Sequence, residues 1–182
     1  MPNRRWLDFL ILLLMSLFLV SGSAAVYYSM LSQSTTSIIG APVYFSTGND
    51  SSGILTLGTN DTYASLSLSA YPNATSYYDQ AVNLTAVANR DVRLRHVSIN
   101  PGDNDPTVSN FTSIIFRLIR GNGVEVGTLI YTTTGNLWNE PAPTNYVTIT
   151  SGEEWTIKVE ITAAAGARSG ISTNIAVAID VR

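Results

Sequence analysis

The 182-residue chain contains no cysteine, so no disulfide can hold it together and no thiolate is available as nucleophile or metal ligand. It has one histidine, His96. That excludes the usual zinc-peptidase arrangement, in which two imidazoles one helical turn apart converge on the metal beside a glutamate base. Charge is sparse: ten Lys and Arg stand against thirteen Asp and Glu, and Lys158 is the only lysine. Without a basic stripe, nucleic acid is not an expected partner. No helical period of useful length occurs beyond residue 25, and no glycine loop is built to cradle a phosphate. Gly121-Asn122-Gly123 reads as a hairpin turn instead.

What the chain does have begins at its N-terminus. Arg4 and Arg5 precede an apolar run from Trp6 to Val20, followed by Ser21-Gly22-Ser23-Ala24-Ala25. Charged, apolar and small-residue regions in that order predict a secretory signal peptide over residues 1–25. As a helix the apolar run would rise about 22 Å, short of the roughly 30 Å hydrocarbon core, which favours cleavage over anchoring. Ser23 and Ala25 occupy the minus-three and minus-one positions of a cut between Ala25 and Val26; a cut after Ala24 is the alternative. The membrane is then met only during export and the mature protein is expected outside the cell. Removing Arg4, Arg5 and Asp8 with the leader leaves eight basic and twelve acidic side chains, a net charge near −4.

Serine, threonine and asparagine dominate the polar residues, and five Asn-X-Ser/Thr sequons fall between residues 49 and 112. Asn49, Asn60, Asn73, Asn83 and Asn110 are therefore candidate N-glycosylation sites in an exported protein.

Along the chain the hydrophobic period is two nearly everywhere and turn residues interrupt it at short intervals, which predicts an all-β protein. The clearest strand is Trp155–Thr162, with Trp155, Ile157, Val159 and Ile161 on one face. Others are expected at 53–57, 63–70, 82–86, 92–99, 111–120, 124–132, 146–150 and 174–181. About nine short strands in one domain of roughly 157 mature residues predict a single two-sheet β-sandwich, of jelly-roll or Ig-like topology. The strands around Ile114–Ile119 and Ile175–Ile179 are apolar on both faces; a second subunit or a covering loop would account equally for the outer one.

Candidate chemistry is thin. His96 shares parity with Val92 and Leu94 and is expected as a packed, hydrogen-bonded side chain near a strand's inner face. No Gly-X-Ser-X-Gly elbow accompanies it. Asp103 and Asp105 lie in a Pro-flanked loop that offers calcium too few oxygens. Glu153 and Glu154 are most simply solvated at a turn. Trp138, Tyr146 and Tyr131 are candidate sugar platforms, Trp138 being set in a Gly/Pro/Asn-rich loop. No catalytic residue, metal site or cofactor is expected, and the chain does not read as an enzyme.

The remaining oddity is the segment from Val26 to Phe45. Val26-Tyr27-Tyr28-Ser29-Met30-Leu31 is strand-like, the polar Ser32–Ser37 follows, and Ile38, Ile39, Val43, Tyr44 and Phe45 form a second apolar stretch. Fully extended, 20 residues reach roughly 66 Å, further than one small domain needs. The first half is thus long enough either to leave its own domain and pair with a neighbour's sheet edge or to complete its own sandwich as an ordinary first strand. The layout divides into a cleaved signal (1–25), a detachable strand with polar connector (26–37) and a β-sandwich domain (38–182).

These residues resemble a known family. The signal ending in Gly22-Ser23-Ala24-Ala25, the Val26-Tyr27-Tyr28-Ser29 start, the second apolar stretch about a dozen residues on and the Ser151-Gly152-Glu153-Glu154-Trp155 lead into an alternating strand are similar to the TasA/camelysin-type biofilm-fibre proteins and their archaeal bundling-pilin relatives. The resemblance implies a jelly-roll subunit whose N-terminal strand is donated into a groove of the next identical subunit. Such subunits form an extracellular homopolymer, a pilus whose filaments bundle with their neighbours in biofilms. Carried onto this chain, the donor lies within Val26–Ser37. The competing expectation is a monomeric cell-surface module that binds carbohydrate or the envelope.

Overall fold

Alternation of apolar and polar side chains becomes eleven antiparallel strands among the described residues: β1 (Val43–Thr47), β2 (Leu55–Leu57), β3 (Tyr63–Ser69), β4 (Thr75–Ala86), β5 (Arg90–Asn100), β6 (Phe111–Ile119), β7 (Glu125–Thr134), β8 (Leu137–Asn139), β9 (Val147–Ile149), β10 (Glu154–Ala163) and β11 (Ser172–Val181). The computed structural model describes residues 40–182, together with Trp6, Leu10 and Ile11, which are helical. The rest of the expected signal peptide, its cleavage site at Ala25 and Val26, the donor strand Val26–Leu31 and its connector lie outside the described residues. No helix among the described residues is long and apolar enough to cross a membrane.

The strands form two sheets, one ordered β1-β4-β10-β6-β7-β8 and the other β2-β3-β11-β5-β9. Four of the pairings define the topology: β3 with β11, β4 with β10, β5 with β9 and β6 with β7. A ribbon of β3 to β6 is thus matched, strand for strand, by the returning half of the chain, and the ribbon is rolled so that consecutive pairs fall in opposite sheets. This is a jelly roll, which decides between the two sandwich topologies allowed by the strand count. The ribbon's hinge is the β6–β7 hairpin, where Gly123 adopts φ 85° and its N–H donates to the Arg120 carbonyl at 2.8 Å. Strands β1 and β2 extend the two sheets along one side, and β8 is a short excursion beyond β7.

The inward faces meet in one continuous core. Trp155, Ile157, Val159 and Ile161 of β10 are buried as the alternation requires, opposite Ala64, Leu66 and Leu68 of β3 and Ile175, Val177 and Ile179 of β11 in the other sheet. On β3 the intervening Ser65, Ser67 and Ser69 face outward. Strand β4 is longer than its sequence suggests. Its first half, Thr75-Ser76-Tyr77-Tyr78-Asp79-Gln80, shows no apolar alternation, and the register against β10 then slips between Tyr78 and Val82, so that Ala81 and Val82 are both buried.

The two strands with apolar residues on both faces differ. On β11 the outward apolar side chains between Ile175 and Ile179 are only Ala176 and Ala178, set among Ser65, Ser98 and Tyr63 by the register. On β6 the outward Ile115 and Ile119 are half-buried by their cross-strand neighbours. Across that face runs a charged row in which Lys158 meets Asp79 at 3.1 Å and Arg117 bridges Glu125 at 3.1 Å and Glu160 at 3.7 Å. Such exposed pairs contribute little stability but keep the face soluble.

Candidate functional site

Among the described residues, the side of the sandwich formed by β1 to β4 is only half closed. β1 ends where Gly48 crosses β4, so close that a Cβ there would sit 1.9 Å from the Gln80 carbonyl oxygen. Asp50 then caps the crossing: its N–H donates to Gln80 O at 3.0 Å and its Oδ2 accepts from Gln80 N at 2.9 Å. The chain turns away at this point, so Thr75–Asp79 of β4 pairs with β10 on one side and, among the described residues, with no strand on the other. In the facing sheet β2 covers only the first half of β3. Where β3 runs on past β2, the Tyr78 hydroxyl substitutes for a strand: it donates to Ser69 O at 3.0 Å and accepts from Ser69 N at 3.4 Å.

Between these two edges lies, among the described residues, a groove of about 540 Å³, closed at one end by the β10–β11 loop. Tyr71 and Tyr77 flank it and are 77% and 67% exposed, the most exposed aromatic residues of the domain. Ala70, Tyr78 and Ile171 line it and pack against the core without being fully buried. In the same wall the Ser76 hydroxyl is buried without a hydrogen-bond partner among the described residues. Apolar rim, free main-chain edge and unpartnered hydroxyl are what an extended segment would complete.

The residues singled out for chemistry have other roles. His96 is mostly buried. Its Nδ1 lies 3.0 Å from the Tyr131 hydroxyl and its Nε2 3.2 Å from Glu140 Oε1, and the two rings meet edge to face with centroids 5.5 Å apart. The packed, hydrogen-bonded histidine expected from parity is what the structure contains. Burial, and behind it the Glu140 charge, pushes the Tyr131 phenol far above its ordinary range. Asp103 accepts the Trp138 main-chain N–H at 2.7 Å and Asp105 accepts the Thr107 N–H at 2.8 Å, so both carboxylates tie down loops. No group of three or more metal-binding side chains occurs among the described residues.

Three expectations need correction. Trp138 is not an exposed platform: β8 carries it inward, its indole N–H donates to Pro101 O at 3.0 Å, and it stacks near Phe111. Tyr131 is fully buried, and Tyr146 is covered by the guanidinium groups of Arg93 and Arg182, 4.6 and 4.2 Å from its ring centre. Glu153 and Glu154 lie at the turn into β10 as expected, Glu154 exposed to solvent, and both also accept hydrogen bonds. Glu153 Oε2 accepts from Thr150 N at 2.9 Å and from the Trp155 indole at 3.3 Å, while Glu154 Oε1 accepts from the Asn83 amide at 3.1 Å.

The five sequons separate by environment. Asn49, Asn60 and Asn73 are exposed in the β1–β2, β2–β3 and β3–β4 connections, whereas Asn83 on β4 and Asn110 before β6 are half-buried. The groove itself had no motif in the sequence. Its one legible trace is the tyrosine-rich stretch Tyr71 to Tyr78, broken by Pro72, Asn73 and Ala74, which is too polar to read as core. Comparison with known proteins assigns the chain to no family: no family model matches it, and no curated protein matches it.

Proposed function

We propose that this protein is a structural, non-enzymatic subunit of an extracellular filament, a homopolymer in which the Val26–Leu31 strand of one copy completes the open β3–β4 wall of the next. Removal of the leader between Ala25 and Val26 frees the donor, and neighbouring filaments bundle side by side. The observation that carries this reading is the Thr75–Asp79 edge of β4, which no described strand covers although the core reaches it. A six-residue donor matches a five-residue edge. Its alternate side chains, Val26, Tyr28 and Met30 or Tyr27, Ser29 and Leu31, would complete the burial of Ala70, Tyr78 and Ile171. Burying the two or three apolar side chains of one donor face is worth on the order of 3 to 9 kcal/mol before the cost of ordering the segment, and main-chain hydrogen bonds along the β4 edge add to it. The layout shared with bundling pilins adds to this reading.

Deleting residues 26–32 tests it. Folded monomers that form no filaments are the expected result; filaments of normal appearance from the deletion protein contradict it. A second reading rests on Tyr71 and Tyr77, whose exposed rings beside the groove suit stacking against sugars in a monomeric surface module. Saturable oligosaccharide binding by a protein that stays monomeric would favour that reading.

A further inference from the structure

Transfer of a glycan to a sequon engages two groups at once, the asparagine amide nitrogen that becomes the linkage and the hydroxyl two residues later that the transferase reads. In the folded domain the five sequons differ in which of these is free. The Asn83 amide donates to Glu154 Oε1 at 3.1 Å, and the Asn110 amide donates to Thr107 O at 2.8 Å while its carbonyl accepts from Arg168 N at 2.8 Å. Both nitrogens are engaged. Asn49 and Asn73 have no side-chain hydrogen bond among the described residues, but their partner hydroxyls do: Ser51 is buried and donates to Gly48 O at 2.6 Å, and Thr75 Oγ1 lies 3.2 Å from Thr162 Oγ1 inside the sheet.

Only Asn60-Asp61-Thr62 leaves both groups without such a partner among the described residues. It forms the turn between β2 and β3, outside any ladder. Asn60 and Asp61 adopt φ 62° and 54°, a left-handed pair at the end of the hairpin, and Asn60 is exposed.

We propose that Asn60 is the N-glycan acceptor of the folded domain. The Asn60 Nδ2 attacks the anomeric carbon of a saccharide activated through an anomeric phosphate ester. The new C–N bond replaces the C–O bond to phosphate, which leaves with its electron pair, and the amide proton passes to a base. Asn83 and Asn110 remain unmodified because their amides are committed to the fold, and Asn49 and Asn73 are poorer acceptors because their hydroxyls are.

The test is site-by-site peptide mass spectrometry of the protein secreted by its own cells. Occupancy at Asn60 is expected to exceed that at Asn49 and Asn73 several-fold, with Asn83 and Asn110 bare. Asn60→Gln and Thr62→Ala should each remove one whole glycan from the intact mass while leaving the melting curve close to that of the parent after enzymatic deglycosylation. An unmodified Asn60, any other sequon occupied as fully as Asn60, or a glycan that survives Thr62→Ala overturns the proposal.

Discussion

At the residue scale the most demanding positions are aromatic. Trp155 is fully buried at the start of β10, with Arg120 over its ring at 5.2 Å. Replacing it with alanine removes the largest side chain of the core, and a loss of about 3–5 kcal/mol is expected in urea denaturation. Tyr131 carries the His96 hydrogen bond into the interior, so Tyr131→Phe should cost about 1–3 kcal/mol by leaving a buried ring nitrogen unpaired. It should also alter the alkaline limb. Because the folded state raises the Tyr131 pKa, the parent loses stability as pH climbs above the unfolded value of about 10, and the phenylalanine variant should lose less there. Asp180 acts at the other end of the scale. Burial opposes its ionisation, yet Arg95 and Arg93 outweigh burial and hold its carboxyl below the usual range. Its contribution is therefore complete above the unfolded value of about 4 and is lost as pH falls through the lower folded one. Asp180→Asn should flatten the acid limb of a stability-versus-pH curve; an unchanged acid limb would contradict the assignment. Residue parity was enough to read His96 as a packed histidine. Loop composition was not enough to place Trp138, because a three-residue strand and the Asp103 cap, both set by tertiary contacts, turn that ring inward.

At the scale of elements, strands with one wet and one dry face were legible, and those without were not. β10, β3 and β11 follow from alternation alone. The first half of β4 did not, since both of its faces are polar or aromatic and it forms a side wall rather than a layer of core. The same property makes it the candidate acceptor, so the residues that concealed the strand are those that mark the site. Ala70 tests this part of the account. It lines the groove yet is only half-buried, so Ala70→Asp should leave a folded domain while placing a charge where an incoming apolar side chain would rest. Sedimentation of assembled material should show polymer yield reduced tenfold or more, with the melting temperature of the monomer shifted only slightly. Unchanged polymer yield would remove the groove from the assembly.

At the scale of the whole molecule, alternation and strand count predict a two-sheet sandwich but do not distinguish jelly roll from Ig-like topology. Strand order depends on which distant segments pair, and neither alternation nor turn chemistry encodes that. The pairing of β3 with β11 and of β4 with β10 spans most of the domain, which gives the fold long-range contacts and an expected slow folding limb. The same rolled ribbon brings the β3 and β4 edges together on one side, where β1 and β2 leave them half covered. A domain without disulfides whose core reaches an edge left open among the described residues gains stability from an added strand, and the proposed filament supplies that strand from an identical subunit.

Electron microscopy of the purified protein beside its residue 26–32 deletion tests this account most directly. The account predicts long filaments of one repeating subunit from the parent and dispersed single domains from the deletion. Dispersed single domains from the parent, or filaments from both, would contradict it.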